Sequence, residues 1–303
     1  MGKYDLIIIG SGPAGLAAAL YSARYNLKTL IISEKPGGEM ANAPFIENYP
    51  GFKKISGMEL VKKIEEQLKE LKVKIELAKV EDIKKIASGF KVLAGGNKNF
   101  QAKAILLAIG MERRKLGVPG EKEYFGKGVA YCSTCDGPLF KDKIVAVAGG
   151  GDAGLASAFY LSTICKKVYV LEIMSKINAE PYWQNKIKIK KNVEISTGTK
   201  IKEILGTQFI QELLLENSRG KRKIKVGGIF IEIGSAPNTE LAKKLGLKLD
   251  KKGFIIINQS GATSKKGIWA AGDTTTGSDY FWQILPSMAE GAIASHSIYK
   301  YLK

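Results

Sequence analysis

The sequence predicts an α/β fold with two parallel sheets, because one pattern of strand, glycine-rich turn, helix and strand occurs twice. The first copy begins with an apolar run over residues 6–9, and the second begins with one over residues 143–148. Continuous apolar runs of this kind are typical of parallel strands buried on both faces. In each copy a helix-forming stretch follows the turn, and a further apolar strand follows the helix. With 303 residues, 45% of them hydrophobic, the chain is long enough for two domains.

The first glycine-rich turn has the spacing GxGxxG between a strand and a helix, which is typical of a Rossmann-like dinucleotide-binding unit. Its first glycine allows the tight turn, its second lets the backbone approach a pyrophosphate, and its third lets helix and strand pack closely. The next strand ends at Glu34, where a ribose-binding carboxylate belongs. The residues of this turn predicted to bind are Gly10, Gly12, Pro13, Ala14 and Gly15.

The second glycine-rich turn repeats this spacing, and the strand after its helix ends at Glu172. We therefore expect a second dinucleotide-binding unit in the same chain. Its predicted binding residues are Gly149, Gly151, Asp152, Ala153 and Gly154.

Cys132 and Cys135 lie between the two repeats, and Asp136 follows them directly. Two cysteines at this spacing can close a small disulfide ring, and a helix N-terminus at the pair would stabilise a thiolate. The adjacent carboxylate can deliver or take the proton that thiol chemistry requires. The alternative is half of a zinc site, but zinc usually needs four ligands, and only Cys165 and His296 remain. We predict a redox centre, no metal, a packing role for Cys165, and a satisfied, non-catalytic helix histidine at His296.

The remaining segments predict the rest of the two sheets. Residues 58–71 predict an amphipathic helix, and residues 73–101 a small antiparallel meander. Proline- and glycine-containing turns at 118–120 and 237–238 indicate crossovers between domains. Further strands are predicted at 104–108, within 195–230, and at 230–234, 254–257 and 267–273, with a closing helix at 288–302.

The net charge of +18 indicates a lysine-rich surface, because the basic residues are scattered through predicted helices and hairpins. Such a surface aids solubility and can also attract an acidic partner. Nucleic-acid binding is not expected, since there is no dense basic run with interleaved aromatic residues and no known motif. No apolar run approaches the length of a membrane span, and the N-terminal residues form a strand rather than a signal peptide. A lone redox pair in such a chain indicates the cytoplasm.

With these residues identified, the chain resembles the low-molecular-weight thioredoxin reductases from its first strand to its last helix. The resemblance implies an FAD-dependent homodimer that reduces thioredoxin. It also implies an FAD-binding domain of residues 1–114 and 239–303, with a pyridine-nucleotide-type domain of residues 115–238 inserted in it. The collinear markers are Gly10–Gly15, Glu47–Gly51, Ile109-Gly110, Val118–Glu121, Cys132–Asp136, Gly149–Gly154, Gly267–Asp273, and Gln283 ahead of Ala289–Gly291.

For FAD, the resemblance implies that Glu34 binds the adenosine ribose, Asp273 the ribityl chain, and Gln283 the flavin ring. The chain departs from the family at Glu39, where Gln is common, and at Trp282, where Arg often precedes the glutamine. The full implied FAD set is Gly10, Gly12, Pro13, Ala14, Gly15, Glu34, Lys35, Gly38, Glu39, Asn48, Val80, Gly110, Gly272, Asp273, Gln283 and Ile284.

The resemblance also implies roles for the redox pair. Cys135 is the flavin-proximal sulfur, Cys132 is the interchange thiol that attacks the partner's disulfide, and Asp136 protonates the departing thiolate. A disulfide that reacts with the flavin is hidden from a protein partner. We therefore expect a rotation of the inserted domain about hinges near 118–120 and 234–238.

The positions that bind the 2′-phosphate of NADPH in the family, an His-Arg-Arg run and a later Arg, are here Glu172, Ile173, Met174 and Asn178. Because no cation remains among them and Glu172 suits a free ribose diol, we expect NADH rather than NADPH. The implied nucleotide site adds Gly234 to the second glycine turn. Open alternatives are a donor such as reduced ferredoxin or a deazaflavin, a peroxidase-linked or glutaredoxin-like partner, and a redox sensor without reductase activity.

Overall fold

The computed structural model describes residues 2–303, and the chain forms two compact units. Unit 1 comprises Met1–Glu112 and Pro237–Lys303, and unit 2 comprises Arg113–Ala236. Unit 2 is therefore inserted in the chain between the two parts of unit 1. The predicted α/β fold is confirmed, since each unit contains one of the two repeats and a sheet with parallel strands.

The two units are built from the following helices and strands in chain order. The first part of unit 1 contains β1 Gly2–Ile9, α1 Pro13–Arg24, β2 Thr29–Ser33, α2 Gly57–Glu70, β3 Lys74–Leu77, β4 Val80–Ile86, β5 Gly89–Ala94 and β6 Lys98–Leu107. The crossover and unit 2 contain β7 Met111–Arg113, β8 Val129–Ala130, α3 Ser133–Asp136, β9 Ile144–Ala148, α4 Asp152–Leu161, β10 Lys167–Leu171, α5 Pro181–Lys188, β11 Val193–Ser196, β12 Lys200–Gly206, β13 Ile210–Asn217, β14 Gly220–Lys225 and β15 Gly228–Ile231. The return contains β16 Ser235–Pro237, α6 Glu240–Lys244, β17 Ile268–Ala270 and α7 Ile284–Leu302.

The sheet of unit 1 has the strand order β3-β2-β1-β6-β5-β4, and β17 also pairs with β6. Strands β3, β2, β1, β6 and β17 run parallel, whereas β4, β5 and β6 are joined as antiparallel neighbours. Alternate residues of β1 face opposite sides of the sheet. Leu6 and Ile8 lie in one apolar cluster with residues of α1, α2 and α7, while Ile7 and Ile9 lie in another with residues of the antiparallel strands.

Strand β6 corrects the prediction for residues 73–108. The predicted meander and the predicted strand at 104–108 share one continuous strand, Lys98–Leu107. Residues 98–102 of β6 pair with β5, and residues 105–107 pair with β17 along the same edge. Residues 74–77 were also predicted wrongly, because they form β3 of the parallel sheet and not part of the meander.

The sheet of unit 2 is parallel throughout, in the order β11-β10-β9-β15-β8, and an antiparallel sheet β12-β13-β14 accompanies it. Val145 and Val147 of β9 pack with α4, whereas Ala146 and Ala148 face the cluster that includes the antiparallel strands. The crossover strands β7 and β16 pair with each other in a two-stranded sheet.

Three predicted boundaries differ from the structure. Residues 254–257 form no regular strand, because Ile255 makes only isolated bridges to Leu249 and Thr275 and no ladder extends from them. The strand expected at 230–234 is Gly228–Ile231. The closing helix begins at Ile284 instead of residue 288 and includes Pro286 in its first turn, where the missing N–H has no helical acceptor to lose.

Candidate active site

The glycine turn of unit 1 contains glycines of two kinds. A Cβ at Gly10 would lie 2.1 Å from the carbonyl oxygen of Ala108, and one at Gly15 would lie 2.0 Å from that of Gly10. Packing within the protein therefore requires both glycines. A Cβ at Gly12 would meet no atom within 4 Å, and its φ of −71° suits any residue. Since neither packing nor backbone strain accounts for Gly12, the open space at the N-terminus of α1 fits a bound group that needs close approach to the backbone.

Two hydroxyl groups hold the end of β2 beside this turn. Ser11 and Ser33 both donate to the carbonyl oxygen of Lys35, at 3.0 and 2.9 Å, and the backbone N–H of Ser11 donates to the Ser33 hydroxyl. The loop is thereby fixed by its backbone, and the side chains of Glu34 and Lys35 are exposed. Glu34 is consequently placed where a carboxylate can accept hydrogen bonds from a ligand at the same turn.

Two predicted residues that are far apart in sequence meet directly. The Asn48 side-chain amide donates to the Gln283 side-chain oxygen at 3.0 Å, although 235 positions separate them. Gln283 is the residue before α7, and Ile284 is the first residue of that helix. The start of α7 and the loop after Glu47 thus belong to one polar site.

Asp273 lies in the loop after β17 and accepts a hydrogen bond from the Ser287 hydroxyl of α7 at 2.5 Å. Burial raises the pKa of this carboxyl, the Ser287 hydrogen bond lowers it, and the charge of Glu290 raises it again, with a net upward shift. Glu290 was not among the predicted binding residues. It accepts hydrogen bonds from Gly272 N–H and from the hydroxyls of Thr275 and Ser278, so it fixes the loop that carries Asp273. The motif Ala289–Gly291 pointed to this position without indicating a role.

The other residues of unit 1 that are predicted to bind FAD differ in the groups that they can offer to a ligand. The side chains of Val80 and Ala14 are buried, and Gly272 and Gly291 pack closely against Ala14. Val80 and Ala14 can therefore offer only backbone groups to a ligand. Gly38 and Gly110 adopt φ values of +57° and +61°, which favour glycine. Glu39 is exposed and accepts a weak 3.4 Å hydrogen bond from the Asn42 amide.

The glycine turn of unit 2 has the same construction. Cβ atoms at Gly149 and Gly154 would lie 2.2 and 2.1 Å from backbone carbonyl oxygens, while one at Gly151 would meet nothing within 4 Å. Gly234 has a φ of +86° and likewise leaves open space for a Cβ. The space beside Gly151 therefore fits a close approach to the backbone, as in unit 1.

Glu172 differs from its counterpart Glu34, because its carboxylate is already engaged. It is only 8% exposed, and its two oxygens accept the backbone N–H groups of Gly150 at 2.5 Å and Met174 at 2.7 Å. The predicted 2′-phosphate positions Ile173 and Met174 are exposed apolar side chains.

A second carboxylate is engaged at the start of α4. Asp152, in the first turn of that helix, accepts the backbone N–H of Glu180 at 2.7 Å. The pKa of Glu180 is raised by burial and by the charge of Asp152. The chain's own acids thus surround the helix N-terminus of unit 2, whereas α1 of unit 1 has no acid in its first turn.

Cys132 and Cys135 form a disulfide, and the pair heads helix α3 as predicted. The Cys132 sulfur accepts the backbone N–H of Cys135 at 3.1 Å. Cys132 and Asp136 are half-buried, and Cys135 is exposed. The helix α3 is only a single turn. We therefore attribute the local stabilisation of a Cys132 thiolate to this N–H···S hydrogen bond.

Sequence reasoning missed the role of Glu121 beside the pair. Its buried carboxylate accepts the N–H groups of Leu116 and Gly117, at 2.7 and 2.6 Å, and the hydroxyl of Tyr131. Burial and the Glu121 carboxylate raise the pKa of Tyr131. As Tyr131 directly precedes Cys132, Glu121 ties the crossover loop to the redox pair.

The other cysteine is buried, whereas the histidine is on the exposed side of α7. Cys165 is buried and donates to the carbonyl oxygen of Phe140, and burial raises the pKa of its thiol to about 11. His296 contacts the Tyr25 hydroxyl at 3.1 Å. Across residues 2–303 no three His, Cys, Asp or Glu side chains are grouped as metal ligands, and no helix is long and apolar enough to cross a membrane.

Two dinucleotide-type turns and a CxxC disulfide at a helix start define a nucleotide-dependent disulfide oxidoreductase. The family model for pyridine nucleotide-disulphide oxidoreductases matches residues 4–295. Thioredoxin reductase of Bacillus subtilis (strain 168) is 38% identical over 99% of this chain and 95% of its own length. The crystal structure of T. acidophilum thioredoxin reductase superposes with a TM-score of 0.93, at 37% identity over 99% of both chains. A ferredoxin-flavin thioredoxin reductase structure from Clostridium acetobutylicum is 31% identical over 100% of this chain and 99% of that one, with a TM-score of 0.53.

The chain belongs to the pyridine nucleotide-disulphide oxidoreductase family, among the thioredoxin reductases. It is an FAD-dependent disulfide oxidoreductase, and the residues of unit 1 fit that cofactor. The open cradle at Gly12 suits a pyrophosphate, and the exposed Glu34 suits a ribose.

Proposed function

We propose that this enzyme uses its Cys132–Cys135 pair to reduce the disulfide of thioredoxin or a thioredoxin-like protein. The observation that carries the proposal is the closed disulfide at the start of α3, with Asp136 as the next residue. The resemblance assigns unit 1 to FAD and unit 2 to the pyridine-nucleotide-type domain, close to the predicted division at residues 114/115 and 238/239. Bound FAD would supply the flavin group, which accepts and releases an electron pair.

In unit 1, FAD would be held by the N-terminus of α1, by Glu34 at the ribose and by Asp273 at the ribityl chain. The Asn48–Gln283 pair would approach the flavin ring. Glu290 positions the Asp273 loop through its three hydrogen bonds. These assignments follow the positions of the resemblance and the contacts described above.

The two sulfurs have different roles. Cys132 is the interchange thiol, because the N–H of Cys135 at 3.1 Å favours its thiolate, and the thiolate is the nucleophile. Reduction of the pair breaks the sulfur–sulfur bond and takes up two electrons and two protons. Asp136 supplies a proton to the departing sulfur, and Cys135 later closes the ring again by displacing the partner's thiol from Cys132.

The test compares Cys132→Ser with Cys135→Ser in a coupled assay on purified thioredoxin. Cys132→Ser should retain a reducible flavin and lose reduction of the protein disulfide. Cys135→Ser should trap a mixed disulfide between Cys132 and the substrate protein, visible by mass spectrometry. Turnover of thioredoxin by Cys132→Ser would contradict the proposal. Parallel reactions of the wild-type enzyme with thioredoxin, peroxidase-linked and glutaredoxin-like partners identify the partner class.

Among pyridine nucleotides, the proposed donor is NADH rather than NADPH. A 2′-phosphate would meet Glu172 and two exposed apolar side chains, Ile173 and Met174, in place of paired cations. The loss of two charge-assisted hydrogen bonds corresponds to at least about a hundredfold in affinity. The measurement is anaerobic stopped-flow bleaching of the flavin, with the two nucleotides at equal concentrations. Faster reduction of the flavin by NADPH would contradict the proposed preference for NADH.

A protein donor of the ferredoxin type is the second candidate, and the structure of unit 2 favours it specifically. The Glu172 carboxylate accepts two backbone N–H groups and is nearly buried, so it offers little to a ribose. Asp152 and Glu180 add negative charge where a pyrophosphate would bind. The net charge of +18 complements an acidic carrier protein, and one similar structure carries ferredoxin in its name. In the same stopped-flow series, reduced ferredoxin should outpace both nucleotides if this candidate is correct.

We propose further that the enzyme is a cytoplasmic homodimer, as the resemblance implies, and that unit 2 rotates about hinges near residues 118–120 and 234–238. Light scattering tests the dimer. An engineered cross-link between the two units tests the rotation, since it should preserve one half-reaction and abolish turnover.

A further inference from the structure

A buried hydrogen-bonded chain in unit 2 leads from Ser133, the residue after Cys132, to a carboxylate. The Ser133 hydroxyl donates to the Ser157 hydroxyl at 2.9 Å, and Ser157 donates to Glu232 at 2.8 Å. Arg113 donates to the other Glu232 oxygen at 3.1 Å. Ser133 and Ser157 are 2% and 4% exposed, and the Glu232 side chain is 7% exposed.

The four residues come from separate elements. Ser133 is the first residue of α3, Ser157 lies within α4, Glu232 follows β15, and Arg113 ends β7. Neither the proposed binding of cofactors nor the thiol chemistry uses Ser157 or Glu232. Burial of an ion pair and two hydroxyls in such a place costs desolvation that apolar side chains would avoid, so stability alone does not account for the chain.

We propose that Ser157 and Glu232 are positioning residues for the redox pair. Glu232, held by Arg113, orients Ser157, and Ser157 fixes Ser133 and with it the turn that carries both sulfurs. A fixed turn keeps each thiol of the reduced pair close to the other, which raises the effective concentration for ring closure and favours the disulfide. The inference rests on the proposed redox role of Cys132 and Cys135.

Removal of the chain should therefore make the pair a weaker reductant. Both single variants remove the bond between the Ser133 and Ser157 hydroxyls, and a hydrogen bond that acts in one state only shifts an equilibrium up to roughly tenfold. For this two-electron couple, a tenfold shift toward the dithiol is about 30 mV less negative. A residue with only a structural role would lower the melting temperature and leave the potential unchanged.

The experiment equilibrates the holoenzyme with graded mixtures of reduced and oxidised dithiothreitol, traps free thiols by alkylation and counts them by mass. Exchange with dithiothreitol balances, because one dithiol is oxidised as the enzyme disulfide is reduced. The variants are Ser157→Ala, Ser133→Ala and the double variant. The matched control is Ser162→Ala, which removes a buried hydroxyl at the end of the same helix that bonds only to Phe159 O.

Ser157→Ala and Ser133→Ala should each shift the potential by about the same amount, and the double variant should shift it no further, while Ser162→Ala matches the wild type. Potentials that equal the wild type, or shifts that add in the double variant, would overturn the inference. If Ser157→Ala does not fold, Ser133→Ala carries the test, because it leaves the Ser157–Glu232 bond intact. If the wild-type pair does not exchange with dithiothreitol at all, the proposed function fails instead.

Discussion

The contrast between Gly12 and Gly15 makes the sharpest prediction about FAD. Gly12→Ala adds a methyl group to open space, so the protein itself loses only the better N-cap residue, about 0.5 kcal/mol. Bound FAD must move away from the backbone and lose a charged hydrogen bond worth about 2 kcal/mol, or roughly thirtyfold in affinity. Gly15→Ala places a Cβ 2.0 Å from the Gly10 carbonyl oxygen and should cost about 1–3 kcal/mol with or without FAD.

The assay is thermal unfolding of the apoprotein and of the protein in excess FAD. For a unit of this size about 2 kcal/mol corresponds to roughly 4–8 °C. Gly12→Ala should lose that much of the FAD-dependent rise in melting temperature and little of the apoprotein's stability, whereas Gly15→Ala should lower both melting temperatures. Gly12→Ser is the matched control, because it restores a good N-cap and still fills the cradle. The reasoning is refuted if Gly12→Ala leaves the FAD-dependent rise intact.

Three further changes test single contacts. Asp273→Asn should stabilise the apoprotein at neutral pH, because the folded-state pKa of Asp273 is raised and its ionised form is therefore disfavoured by folding. The gain should shrink as the pH falls toward the ordinary value of 3.8, and chemical denaturation at several pH values measures it. Ser56→Ala removes the capping box that Ser56 and Glu59 form at the start of α2, and should lower the free energy of unfolding in urea by about 1 kcal/mol. The control Lys62→Ala, at an exposed position of the same helix, should leave that free energy nearly unchanged. Glu121→Gln should loosen the Tyr131 contact and lower the pKa of that tyrosine toward its ordinary value in a spectroscopic titration; an unchanged titration would contradict the assigned cause.

Much of the fold could be predicted because the decisive signals are local. The strands expected before Glu34 and Glu172 are present as Thr29–Ser33 and Lys167–Leu171, because charged residues interrupt a short apolar run on each side. The CxxC pair and both glycine turns are likewise short motifs. Even the start of α2 is encoded locally, in the spacing of Ser56 and Glu59.

The parts that could not be predicted depend on residues distant in sequence. The end of β6 pairs with β1 on one edge and with β17 on the other, and β17 lies more than 160 positions later in the chain. The Asn48–Gln283 contact has the same character. The state of Glu172 also depends on a distant residue, because one of the two backbone N–H groups that its carboxylate accepts belongs to Gly150, 22 positions earlier.

The shared edge of β6 also determines the order in which the molecule can be completed during synthesis. Unit 2 is a contiguous segment and emerges from the ribosome before residues 237–303, so it can fold while unit 1 still lacks β17 and α7. Until then the end of β6 is an unpaired strand edge, and Ala14 of α1 lacks its cover by Gly291. A nascent chain that ends before residue 268 would thus expose this edge, so addition of the C-terminal segment protects the enzyme from aggregation.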